Sequence, residues 1–82
     1  MSAEDEGVVA GIVVAIRRYF ATHPDAADSV EGIQRWWLLP QSREEPRLLI
    51  ERALDRLVAE GAAHRTVLED GRVIYANPRR RA

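Results

Sequence analysis

The sequence predicts a mainly α protein of the α+β class, with three helices followed by a C-terminal two-stranded β-hairpin. Three observations carry this prediction. Apolar residues recur at helical spacing in three separate segments. Pro24, Pro40 and Gly61 fall where those segments stop. Asp70-Gly71 then separates two β-prone runs, and this dipeptide favours a two-residue hairpin turn. Residues 1–78 read as a single domain and 79–82 as a short basic tail.

The first helix starts after Ser2, a good N-cap with Asp5 three residues on. Glu4, Asp5 and Glu6 lie where the helix dipole favours negative charge. Val9, Ile12, Val13, Ile16 and Phe20 form one apolar stripe, and the length of the pattern favours helix over a buried strand. Asp28 is the expected N-cap of the second helix, with Glu31 at its third helical position. Steps of 100° place Val30, Ile33 and Trp37 on one face, Trp36 on its flank and Leu38 well away from it. Ile50, Ala53, Leu54 and Leu57 mark the third helix, which Gly61 caps. Ser42 with Glu45 reads as a capping box, while Pro46 at the first helical position is the alternative; the expected start is near 45. In the hairpin, a two-residue turn pairs Glu69 with Arg72, Leu68 with Val73 and Val67 with Ile74.

The chain of 82 residues carries 12 basic and 13 acidic side chains, a net charge of −1. All the basic residues are arginine, and with abundant Ala, Val and Glu this reads as codon bias in a GC-rich bacterial genome. With no cysteine, disulfides and thiolate metal sites are excluded, and the two histidines lack metal-site spacing. The acidic "SAEDEG" after Met1 does not read as a signal peptide, and "VVAGIVVAI" is far short of a membrane span of about 20 residues. A cytoplasmic protein is the expectation. No nucleophile–base arrangement, phosphate loop or paired carboxylates are visible, so neither an enzyme nor a small-molecule substrate or cofactor is expected.

The stretch "IERALDRLVAEGAAHRTVLEDGRVIYAN", residues 50 to 77, resembles the end of the recognition helix and the wing of bacterial winged helix-turn-helix regulators. With the upstream helices, the likeness covers roughly residues 4–77. It implies a winged-helix fold whose third helix enters the DNA major groove while the wing touches the flanking backbone. Carried over by position, the DNA contacts are Arg43, Arg47 and Arg52 on the helix and Arg65 and Arg72 on the wing; the tail residues Arg79, Arg80 and Arg81 join them as candidates. Two departures weigh against DNA. Residues 43–60 hold four arginines against five acids, and acids on a reading face oppose phosphate binding. Residues 39–45 also make a connection longer than the usual three- or four-residue turn.

Arg47–Glu51, Arg56–Glu60 and Arg52–Asp55 have the spacing of helical ion pairs, which points to a solvated, self-paired face. Trp37 belongs to the core by phase. Trp36, Leu38, Leu39 and Leu48 are the candidates for an apolar interaction surface, unless the 39–45 loop folds over Trp36 and buries it. The expected function is a small stand-alone winged-helix module that binds another protein as an adaptor. The alternative is a DNA-binding transcriptional regulator, with a homodimer allowed.

Overall fold

The computed structural model describes residues 2–80. Helix α1 spans Ala3–Thr22, and its N-cap Ser2 accepts a hydrogen bond from the Asp5 N–H at 3.1 Å. Val9, Ile12, Ile16 and Phe20 are its buried stripe. The helix stops at His23, since the proline that follows disfavours helical backbone before it.

Ala27–Asp28 form a strand, β1, that the sequence reading did not anticipate. Strands β2 (His64–Val67) and β3 (Val73–Ala76) make the expected hairpin, but β1 pairs antiparallel with the other side of β3. The sheet is therefore three-stranded, in the order β1-β3-β2, and not a lone hairpin. A two-residue strand is too short to leave any alternation in a sequence.

Helix α2 begins one residue later than expected. Ser29, not Asp28, is the N-cap, and its hydroxyl accepts from the Gly32 N–H at 3.2 Å. The Asp28 carboxylate instead accepts from the Ser29 N–H at 2.7 Å and lies directly over Gly32, where any Cβ would collide with it. One α turn, Val30–Gly32, continues into a π-wound turn, Ile33–Trp37. Val30, Ile33 and Trp37 are buried, as their phase requires. Leu38 departs from expectation. Its backbone is extended (φ −91°, ψ 155°), so the helical step no longer sets its direction, and its side chain turns into the core at 2% exposure.

After a single 3-10 turn, Pro40–Ser42, helix α3 runs Arg47–Ala59, which is later than the expected start at 45. Pro46 flanks the helix with ψ 137°, so it neither occupies the first helical position nor lies inside a turn capped by Ser42. Leu49, Ile50, Ala53, Leu54 and Leu57 are buried along α3. Gly61, with φ +74°, ends it: the Ala62 N–H donates to Leu57 O at 2.8 Å and the Gly61 N–H to Val58 O at 3.0 Å. Those are the two bonds of a Schellman cap, and only glycine takes that φ without strain.

The hairpin register differs by one residue from the expectation. Val67 pairs with Val73 and Arg65 with Tyr75, leaving Glu69, Asp70 and Gly71 as a three-residue loop. The Gly71 N–H donates to Leu68 O at 2.9 Å, and the Leu68 N–H donates to Arg72 O at 2.8 Å. This is a turn closed by a residue at positive φ, here +89° at Gly71, the second favoured way to build a hairpin. The shift turns Tyr75 inward and leaves all four β2 residues exposed.

The core lies mainly between α1 and α3, with Ile12, Ile16, Ile33, Ile50, Leu54, Leu57 and Val9 fully enclosed. Two ion pairs fasten the same helices from outside, Arg17–Glu60 and Arg56–Glu6. Of the pairs expected within α3, Arg47–Glu51 forms at 3.7 Å. Arg56–Glu60 is replaced by these two interhelical pairs, and Arg52–Asp55 is not formed among the described residues.

Asn77 is the one buried polar residue among those described, at 3% exposure. Its side-chain amide donates to Phe20 O at 3.0 Å and His23 O at 3.2 Å, and its backbone N–H donates to Ala26 O at 2.9 Å. Replacing Asn77 by Ala removes two buried side-chain hydrogen bonds and leaves Phe20 O and His23 O with only their backbone donors, the His23 N–H at 3.4 Å and the Ala26 N–H at 3.1 Å. The expected loss is about 1–3 kcal/mol, measured by urea or thermal unfolding, with unchanged helix content in the folded state. A variant as stable as wild type would show that water replaces the amide at no cost.

Candidate functional site

Three rings stack at the C-terminal end of α1. His23 lies 3.9 Å from Tyr19 with an interplanar angle of 6°, and Tyr19 lies 4.6 Å from Trp37 at 9°. Tyr19 and His23 are four residues apart, one helical turn, so α1 itself sets the first step of this ladder. Phe20 meets Trp37 edge-on at 5.5 Å. Trp37 is thereby fixed in the core at 9% exposure, with aromatic neighbours against its face and edge.

Trp36 has the opposite fate, at 68% exposure. The loop of residues 39–45 does not cover it. A π-wound turn advances less per residue than an α turn, which rotates Trp36 further from the face that Ile33 and Trp37 share. The loop is held elsewhere: Gln34 donates its amide to Arg43 O at 2.7 Å and Glu45 O at 2.9 Å, and Arg43 Nε donates to Leu38 O at 3.2 Å. Trp36 borders a cleft of about 580 Å³ with Tyr19, His23, Asp25 and Ala27.

The other apolar candidates separate. Leu39 and Leu48 are 57% and 58% exposed but do not line this cleft, and Leu38 is removed from the surface altogether. Tyr19, His23 and Asp25 were missed by the sequence reading as partners of Trp36. The spacing of Tyr19 and His23 was the available signal; the approach of β1 to α1 was not.

The arginines offered as DNA contacts occupy different places. Arg47, Arg65 and Arg72 line a groove between α3 and the hairpin, together with Glu31 and Glu51. Arg47 is paired there with both acids, and Arg72 Nε donates to Asp70 Oδ2 at 2.7 Å. Arg52 and Arg65 are exposed and carry no ion pair among the described residues. Arg79 and Arg80 are exposed beyond Asn77, and Arg79 borders a separate depression with Arg17 and Phe20. Arg81 lies outside the described residues.

Two carboxyls in these ion pairs are held below their ordinary pKa. Glu31 is lowered first by its own backbone N–H and then by the Arg47 guanidinium. Asp70 is lowered first by the Arg72 backbone N–H, at 3.0 Å, and further by the Arg72 side chain. Among the described residues no helix is long and apolar enough to cross a membrane, and no group of three or more His, Cys, Asp or Glu side chains could hold a metal ion.

Comparison with protein-family models, with curated proteins and with solved structures returns no match.

Two measurements check this geometry. Acrylamide should quench a red-shifted emission component that Trp36→Phe abolishes and Trp37→Phe retains; a uniformly blue, protected spectrum would contradict the exposure of Trp36. In an NMR titration, Asp70 should lose its charge below the usual aspartate range. Arg72→Gln should raise that midpoint only part of the way, because the backbone donor remains. Since the folded-state value is depressed, the loop gains stability from ionised Asp70 above the ordinary aspartate pKa and loses it as pH falls through the lowered one.

Proposed function

We propose that this chain is a winged-helix binding module that recognises another protein. The observation that carries the proposal is Trp36, 68% exposed beside a cleft while its neighbour Trp37 is locked into the core. A large indole left in water lowers stability relative to a buried one, and exposed tryptophans are enriched where binding energy concentrates. The winged-helix part of the reading is supported by the element order, helix, short strand, two helices and hairpin, with the hairpin folded back onto the short strand. Winged helices serve both DNA recognition and protein assembly, so the site must decide between them.

Electrostatics favour the protein partner. Arg47 and Arg72 are occupied by Glu31, Glu51 and Asp70, and the chain carries no net positive charge to attract phosphates. The DNA-binding regulator remains the second reading because Arg52 and Arg65 are exposed and unpaired among the described residues.

A titration with a mixed-sequence DNA duplex at about 50 mM salt separates the two. No saturable binding is expected even at that low ionic strength, where non-specific DNA binders are tighter than about 10⁻⁴–10⁻⁶ M. Binding that weakens steeply with salt and is lost in Arg52→Ala/Arg65→Ala would overturn the protein-binding reading. A photo-crosslinking amino acid at position 36 should give one discrete protein adduct in cells, and the same group at exposed Val14 should give none.

A further inference from the structure

The cleft beside Trp36 has a second property that narrows its partner. The Asn77 N–H donates to Ala26 O, so residues 26 and 77 form a hydrogen-bonded pair of the β1–β3 ladder. In an antiparallel ladder such pairs alternate, which makes Ala27–Ala76 a non-hydrogen-bonded pair. The N–H and C=O of Ala27 therefore point away from β3, toward the open edge of the sheet. Among the described residues no hydrogen bond from another element reaches either group. Ala27 also lies on the wall of the cleft that Trp36 borders, which puts the open edge and the indole on one cleft. An open strand edge beside an aromatic side chain is the arrangement that binds an extended peptide by strand addition.

Charge specifies the peptide further. The cleft is bordered by two carboxylates, Asp25 and Asp28, and by no arginine, in a chain that has 12 of them. Asp28 is engaged with Ser29, whereas Asp25 is exposed and has no ion pair among the described residues. An exposed indole and an unpaired carboxylate on the wall of one cleft suit a guanidinium or ammonium group.

Resting on the reading of the chain as a protein-binding module, we infer that the cleft receives an extended peptide segment. Its backbone adds to the outer edge of β1 at Ala27, and its arginine or lysine side chain lies between Trp36 and Asp25. Specificity then comes from one basic residue at a fixed place along the segment, while affinity comes from the main chain and the indole.

The test is selection of random dodecapeptides displayed on phage against the full chain, followed by affinity measurements on the recovered peptides. Recovered sequences should share a basic residue flanked by β-prone residues. Asp25→Arg, a change at an exposed position, should weaken those peptides by about tenfold or more and shift selection toward acidic ones. Ala27→Pro removes the edge donor and should abolish binding. Asp25→Arg, with its thermal midpoint at the wild-type value, keeps the test decisive if that proline unfolds the chain. Peptides recovered without a basic residue, or unaffected by Asp25→Arg, would overturn the inference and leave the protein-binding reading standing. No recovered peptide, together with saturable DNA binding, would overturn both.

Discussion

The amide of Asn77 is the interaction on which the arrangement of this fold depends. α1 ends in carbonyls that have no partner within the helix, and the sheet ends beside them. The Asn77 side chain adds a donor to Phe20 O and His23 O, which otherwise accept only from the His23 and Ala26 N–H groups, while the same residue's backbone holds Ala26 in the ladder. One buried residue therefore ties the end of α1 to the start of the β1–β3 ladder, which Ala27–Ala76 and Asp28–Tyr75 continue. Because β1 lies against the end of α1, Ala27 and Asp25 come to share a cleft with Tyr19 and His23. The cleft is a by-product of closing a helix terminus.

The aromatic ladder then determines which tryptophan is available. Stacking on Tyr19 and edge contact with Phe20 pin Trp37, and the π-wound turn carries Trp36 outward. Widened helical turns are frequent at functional sites because they redirect one side chain without disturbing the rest of a helix. Here the redirected residue is the indole beside the open edge of β1. The two adjacent tryptophans are thus chemically identical and physically opposite.

Much of this was legible in the sequence. The apolar stripes of α1 and α3, the Ser2 cap, the Gly61 cap and the assignment of Trp37 to the core all rest on local spacing, and all are present in the structure. Misreadings occurred where local rules had two solutions. Asp28 and Ser29 are both good caps, and the choice between them follows from β1, a contact more distant in sequence. Asp70-Gly71 fits two-residue and three-residue loops alike, and the packing of Tyr75 selects the longer one. Leu38 was placed by extending a helix that had already ended. The cleft itself was not legible, since it depends on a strand of two residues meeting the far end of a helix.

The position of Asn77 also gives the molecule a defined mechanical axis. Tension applied between residues 2 and 80 enters along α1 at one end and through Asn77 at the other. The shortest connection runs down the α1 backbone and across to Asn77, through its amide to Phe20 O and His23 O and through its backbone N–H to Ala26 O. These bonds join the end of α1, β1 and β3 at one place, so a pull on residues 2 and 80 would load the edge of the cleft before the packing between α1 and α3.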